Sequence, residues 1–325
     1  MNLPLLIGID EAGYGPNLGP LLLAATVWEI PGKPADTDLF QQFSEVVRDA
    51  DAFADGRLLI ADSKQVYSPS QGLAALEMGV FAGLRLWGDG GPERVVTSNF
   101  HTLVRALHQG PTGVLEGEPW YDQSELLLPL NPLPELTEHF ERWSTCCQSR
   151  GITLRHIAFD LVSPQRFNAL NSLTGSKGRS LSELSLRLLR TCLESCHAIE
   201  GVETLVLADK HGGRNRYHEF LPFCCDDAFI TCLEEGAQRS RYRAGAIEFR
   251  FETKAERHLP TALASMVAKY VRELSMRLFN RYWQSQIPGL KRTAGYPLDA
   301  VRFRREIASR QCELLIPDEV LWREK

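Results

Sequence analysis

The chain has 325 residues, 44% hydrophobic and 24% charged, with a formal net charge of −5. That length can bury one large core or two smaller ones, and the composition is that of a soluble globular protein. The mild acidity excludes indiscriminate polyanion binding, no apolar run is long enough to span a bilayer, and Met1–Ile9 is too short and too soon acidic for a signal peptide.

Leu5–Ile9 reads as a buried strand, and Leu21–Trp28 as its hairpin partner. Between them, Asp10 and Glu11 run into a turn rich in glycine (Gly13, Gly15, Gly19). Asp38–Val47 has helical spacing, and Pro69–Leu86 predicts a helix closing near Gly88. Residues 87–150 change texture. They are acidic, are punctuated by Pro111, Pro119, Pro129, Pro132 and Pro134, and carry Trp120-Tyr121. This stretch predicts an inserted segment with helices near Phe100–His108 and Leu133–Cys147; a lid, a protein-interaction module and a structural cap are all open to it. Leu154–Leu161 predicts a strand. A helix opens at Ser163-Pro164 and is interrupted at Gly175–Gly178, and a strong amphipathic helix covers Leu181–Ile199. Thr204–Ala208 predicts a buried strand ending at Asp209. Ala246–Glu252 alternates as a strand with one exposed face. A long helix over Pro260–Trp283 and a last one over Leu298–Ala308 complete an α/β pattern.

The cysteines include the doublets Cys146-Cys147 and Cys224-Cys225 and no C-x-x-C pair. They predict reduced, packed thiols in a cytoplasmic protein, not disulfides or a zinc site. Residues 264–325 carry net positive charge, which suits a phosphate backbone or merely a solvated helix surface.

The chemistry is carried by carboxylates. Neighbouring strand residues point to opposite faces, so Asp10 and Glu11 serve one site only if the chain bends there, which the glycines permit. Asp209 closes a buried run, where an α/β site is built, or where an acid simply caps a helix. Glu256 stands just before the long helix and on its own reads as a surface acid. Together Asp10, Glu11, Asp209 and Glu256 would make a cluster whose mutual repulsion divalent cations relieve, and oxygen donors select Mg²⁺ or Mn²⁺. Two such ions support in-line phosphodiester hydrolysis. His211 and His258, each two residues beyond an acid, are candidate ligands or proton shuttles. The spacing G-x-G-x-x-x-G, followed by Pro16, Pro20 and an apolar run, fits a hairpin and not a dinucleotide fingerprint.

Ile7-Gly-Ile-Asp-Glu-Ala-Gly-Tyr-Gly-Pro-Asn-Leu-Gly-Pro20 resembles the opening motif of the ribonuclease HII family, the type 2 ribonucleases H. Asp62-Ser63-Lys64, Ser163-Pro164 through Leu170-Asn171, Leu207-Ala-Asp209, Lys254-Ala-Glu256 with Ala264-Ser265 through Lys269 and Arg272-Glu273, and Gly295-Tyr296 match further motifs in the same order. The resemblance implies an RNase H-like fold, a mixed central sheet flanked by helices, built from residues 1–86 and 151–325, with 87–150 inserted. It implies metal-dependent cleavage of the RNA strand of RNA–DNA hybrids or ribonucleotide-containing duplexes, leaving 5′-phosphate and 3′-hydroxyl ends. By position it makes Asp10, Glu11, Asp209 and Glu256 the catalytic metal ligands. Gly13, Tyr14, Gly15, Lys64, Ser265, Lys269, Arg272 and Tyr296 become the substrate-side residues. The family's Gly-Arg-Gly turn reads Gly13-Tyr14-Gly15 here, which predicts weak discrimination for a single embedded ribonucleotide. Glu256 replaces the usual aspartate. The basic loop after Asp209 makes Lys210, Arg214 and Arg216 candidate phosphate contacts that compensate for the charge missing at Tyr14. The alternative is a member that binds nucleic acid, or a protein through 87–150, without cutting.

Overall fold

The structure, a computed structural model, describes residues 3–53, 55–87, 99–122, 125–196, 201–226 and 228–324. Apolar residues on both faces of β1 (Leu5–Ala12) bury the whole strand, with only Glu11 partly open. β2 (Leu21–Glu29) returns antiparallel, with Ile9 opposite Ala25 and Asp10 opposite Ala24, so the glycine-rich turn is a hairpin connection as expected. β3 (Val47–Arg48) and β4 (Leu58–Leu59) form a small parallel pair of their own. β5 (Thr153–Val162) adds antiparallel to β2, and β6 (Thr204–Asp209) adds parallel to β1. β9 (Ile247–Glu252) lies parallel to β6, and β8 (Arg239–Ala244) and β7 (Ile230–Glu235) continue antiparallel from it. The sheet order β5-β2-β1-β6-β9-β8-β7 is mixed, with β1 at its centre.

β9 differs from its expected half-exposed character. It lies between β6 and β8 and is buried along nearly all its length. Its alternating polar residues are satisfied across the sheet instead of by water: Glu248 accepts from Arg241, Arg243 and Arg250 at 2.7–3.0 Å. Burial alone would raise the Glu248 carboxyl, but the three guanidinium groups hold it down at about 2.

Helices cover both faces. α1 (Leu39–Gln42) is a single turn capped by Asp38, shorter than the helix expected to run to Val47, because Val47 is drawn into β3. α2 (Ser63–Val66), α3 (Ala74–Leu86), α4 (Phe100–Leu107), α5 (Pro119–Asp122) and α6 (Leu136–Arg150) share one hydrophobic core with α9 (Leu259–Gln286). α8 (Lys177–Ser195) covers the other face, preceded by α7 (Pro164–Thr174). α10 (Pro297–Glu313) and α11 (Asp318–Leu321) follow. Residues 99–122 and 125–150 are continuous with this core. The Trp143 ring packs 5.9 Å from Trp28 and 6.0 Å from Phe43, and Trp120 meets Phe279 at 5.0 Å. No helix among the described residues is long and apolar enough to cross a membrane.

The start of α9 is pressed onto β1. A side chain on Gly8 would collide with the backbone of Pro260 and Thr261, so only glycine allows the approach. Thr26 Oγ1 donates to the Pro260 carbonyl at 2.8 Å and Thr261 Oγ1 to that of Leu207 at 3.3 Å. These contacts set the beginning of α9 against the ends of β1 and β6, where the acids stand.

Candidate active site

The pairing of β1 with β6 ends at Ile9–Ala208. Asp10 and Asp209 are the next residues of each strand, so two parallel strands deliver two carboxylates side by side. β6 also pairs Asp209 with Glu252 on β9. The chain then turns through Lys254, which lies in the left-handed region at φ 59°, an uncommon conformation for a non-glycine residue. A short 3-10 turn, Ala255–Arg257, follows and presents Glu256. The Ala255 N–H donates to Asp209 Oδ1 at 3.4 Å, tying that turn to the strand end. Asp49, Asp62, Lys64, Asp209, Lys254 and Glu256 line one cleft.

The electrostatics identify the acids as a group. Burial pushes the Asp10 carboxyl well above its usual range, and the charges of Glu11 and Glu256 push it further, while Ser265 supports the charged form. Burial, then Asp209 and Glu256, raise Glu11 to about 7 against the opposing charge of Lys64. Glu256 is raised by burial and by Asp209 and Asp62. Lys64 Nζ is 4.0 Å from Glu256, and its ammonium is raised by Asp62, Asp10, Glu256 and Glu11 although burial opposes this. The charges of Glu11 and Glu256 thus reach Asp10, and those of Asp209 and Glu256 reach Glu11, while no three His, Cys, Asp or Glu side chains among the described residues form a group that could hold a metal ion. The donor chemistry fits hard divalent cations, since all four acids present oxygen, and Lys64 offsets part of the charge at Glu11 and Glu256.

The surrounding residues divide into supports and exposed groups. Ser265 is buried and donates to Ser63 Oγ at 3.0 Å. Lys269 reaches Glu273 at 2.6 Å over the Tyr67 ring. Arg272 is buried against Gly13, where a side chain would strike its guanidinium stem, and it donates to the Ala294 carbonyl at 3.0 Å. Tyr296 is exposed and its ring edge comes within 3.7 Å of the place where a side chain on Gly15 would begin. Lys210 turns inward. Its ammonium is surrounded by the Arg214 and Gly236 carbonyls, Asn215 Oδ1 and Ser240 Oγ at 2.5–3.2 Å, which leaves it no proton for a phosphate. Arg216 extends into solvent near Glu235. Arg214 faces Tyr14.

His211 is a core residue. Its Nδ1 meets Ser182 Oγ at 3.0 Å, its ring packs on Tyr217 and Phe251, and burial drives its pKa down to about 3. His258 caps α9 and meets Glu252 at 3.2 Å.

One residue escaped the sequence reading. Arg323 is fully buried and donates to the carbonyls of both Gly13 and Pro16 while stacking on Phe167. Its backbone N–H donates to Asn17 at 2.7 Å, and Asn17 Nδ2 donates back to the Arg323 carbonyl at 3.0 Å. The glycine-rich turn is thus clamped from a position more than three hundred residues away in the chain, and no local pattern signals it.

Comparison with known proteins gives a low-identity likeness. No family model and no curated protein matches the chain. Among solved structures, it is similar to the ribonuclease HII of a PCNA complex from Archaeoglobus fulgidus, at 14% identity over 99% of this chain and 94% of that one, with a TM-score of 0.44. It is similar to ribonuclease H2 from Pyrococcus horikoshii OT3, at 13% identity over 98% and 92%, TM-score 0.41. It is also similar to Bst-RNase HIII bound to Mn²⁺, at 14% identity over 99% of this chain and 67% of that one, TM-score 0.41.

Proposed function

We propose that this chain is a metal-dependent endonuclease that hydrolyses the RNA strand of RNA–DNA hybrids, leaving 5′-phosphate and 3′-hydroxyl ends. The observation that carries the reading is the placing of Asp10, Glu11 and Asp209 at the ends of β1 and β6 and of Glu256 on the turn before α9, where burial and neighbouring acids raise Asp10, Glu11 and Glu256 and Lys64 is a nearby cation. A binding module has no use for such a cluster, which repels phosphate unless cations neutralise it.

In this reading the four carboxylates hold Mg²⁺ or Mn²⁺, through oxygen donors that suit either ion. Divalent ions bound there would supply an activated water and stabilise the leaving 3′ oxygen. Ser265 stands beside Asp10 and favours its charged form. Lys64, with most of its side chain open to solvent, meets the phosphate that the acids would otherwise repel. Tyr296 offers an exposed ring beside Gly15 on which a sugar can rest.

The test is incubation of labelled RNA–DNA hybrid, single-ribonucleotide duplex and all-DNA duplex with Mg²⁺ or Mn²⁺. The hybrid is expected to be cut and the DNA left intact, with weak preference for the single ribonucleotide. Asp10→Asn removes a ligand charge and is expected to lose at least about a hundredfold in rate while keeping its fold by circular dichroism. Undiminished turnover of purified Asp10→Asn would overturn the mechanism. Metal-stimulated hybrid binding by wild type without any cleavage would leave the non-cutting alternative.

A further inference from the structure

The sheet runs on past α9 through β9 and β8. β8 alternates strictly, with Ser240, Tyr242 and Ala244 buried and Arg239, Arg241 and Arg243 open or partly open. Tyr242 and Ala244 join Phe249 and Phe251 of β9 in the core under α8. On the opposite face, none of the described residues of β8 or β9 belongs to the core under α9. That face is charged instead. Arg243 stands opposite Glu248, Arg241 opposite Arg250, and Arg239 opposite Glu252, which in turn pairs with Asp209 of the acid cluster. Directly opposed residues project from one face of a sheet, so the arginines lie on the side where Asp209 stands.

The face keeps positive charge after its ion pairs are counted. Glu252 is met by Arg257 and His258, and Glu234 by Arg239 at 2.8 Å. The guanidinium groups of Arg241, Arg243 and Arg250 are then left with the one carboxylate of Glu248. Arg241 gives it two N–H groups, and Arg243 and Arg250 give it one each, out of five on every guanidinium. Glu248 thus fixes the three groups and leaves most of their donors without a protein acceptor. Alternate residues on a strand recur about every 7 Å, so Arg239, Arg241 and Arg243 form a row leading away from the acids. The row is continuous with the cleft, because Arg257 lines the cleft and also reaches Glu252, opposite Arg239.

We propose that this row of arginines on β8 and β9 carries the phosphate backbone of the bound hybrid beyond the cleaved position. The inference rests on the reading of the acid cluster as a nuclease site. A nucleic-acid duplex fits the face because it presents phosphates repeatedly along a line, whereas a single small anion would engage only one point of the row. Each guanidinium can turn a flat edge with two donors toward a phosphate. Arg243 and Arg239, at the two ends, have the most exposed side chains of the row and are the ones a backbone meets first.

The surface is tested by binding, apart from cleavage. Affinity of the full chain for a labelled RNA–DNA hybrid is measured by fluorescence anisotropy in EDTA across a range of salt. Wild type, Arg239→Ala, Arg243→Ala, the double variant, Arg243→Lys and the control Arg187→Ala on α8 are compared. Each lost phosphate contact is expected to lower the slope of log affinity against log salt by about one. Arg239→Ala and Arg243→Ala should each show that loss and the double variant about twice it. Arg243→Lys should keep most of the slope, and Arg187→Ala should match wild type. Arginines that only brace the sheet would lower the melting temperature without moving the salt slope. Wild-type slopes in the single and double variants overturn the surface, and the nuclease reading stands if wild type still cuts. Lowered slopes in a protein that binds hybrid but never cuts it support the surface and overturn the nuclease reading. A wild type that binds no hybrid in EDTA overturns the surface.

Discussion

Asp10 and Glu11 hold protons more tightly in the fold than in an unfolded chain. Glu11 is raised to about 7, chiefly by burial and by Asp209, and Asp10 is raised by burial and by Glu11. A carboxyl with a raised folded pKa contributes stability that is fully present below its unfolded value of roughly 4.3 and is lost as pH climbs through the folded value. Without divalent ions, the melting temperature is therefore expected to fall between pH 5 and pH 8, and Asp10→Asn should flatten part of that fall. Mg²⁺ binds the ionised acids, so its stabilising shift should be larger at pH 8 than at pH 5. An equal shift at both pH values, or none, would remove the case for a carboxylate metal site. Glu118 titrates with the same sign for a different reason. It is buried away from the cluster, is raised to about 8 by desolvation, and has one oxygen bonded to Trp120 Nε1 at 2.8 Å and the other without a partner. Glu118→Gln keeps the acceptor for Trp120 and removes the charge. It should raise the melting temperature at pH 8 by a few degrees, leave it nearly unchanged at pH 5, and not alter the Mg²⁺ response.

At the scale of elements, the parts legible in the sequence are those whose signal is local. β1 and β2 are apolar runs around a glycine turn, the Ser163-Pro164 start of α7 is a cap with its side chain bonded to the Arg166 N–H at 3.2 Å, and α9 is a long stripe of apolar residues. Asp209 was visible because a buried run ended on an acid. The fate of Lys210 was not, because its acceptors come from the neighbouring loop and from Gly236 and Ser240, which sequence distance hides. The same limit applied to β9, whose polar residues are paired across the sheet. Residues 99–122 and 125–150 belong to the stretch whose changed texture predicts an inserted segment, and the packing of their tryptophans into the common core had no local signal. A buried carboxylate fastens that segment. Glu77 on α3 accepts from the N–H groups of Leu130 and Asn131, from Asn131 Nδ2 and from the Tyr270 hydroxyl of α9, all at 2.5–2.9 Å. Glu77→Leu orphans these donors and is expected to cost about 3 kcal/mol or more, since unpaired buried groups are expensive. Denaturant unfolding gives the loss directly. Limited proteolysis should then cut within 125–135 first, whereas uniform resistance there would mean the segment is held by its aromatic packing alone.

Across the whole molecule, the site depends on segments brought together from both ends of the sequence. The acids come from residues 10 and 11, 209 and 256, and the turn beside them is clamped by residue 323. That clamp has a directional consequence. In a trans peptide the carbonyl and the following N–H point opposite ways. Arg323 draws the Gly13 carbonyl inward, so the Tyr14 N–H is turned away from Arg323. Arg272 lies beneath the same turn, and its charge adds to burial in holding the Arg323 guanidinium down at about 9. Two buried guanidinium groups in one place are costly, and their persistence argues that the turn they support must keep its shape. Arg323→Ala leaves two carbonyls without a donor and should cost about 1–3 kcal/mol of stability. It does not touch the four carboxylates, so the Mg²⁺-induced rise in melting temperature should survive. Hybrid cleavage should nevertheless fall by about tenfold or more in kcat/KM, mainly through KM, because the turn that meets the strand is loosened. Arg323→Lys, which retains one donor, should recover part of it. If Arg323→Ala lowers the melting temperature but leaves kcat/KM unchanged, the clamp only stabilises the fold, and the turn's shape is set by Arg272 and the Gly13 backbone alone.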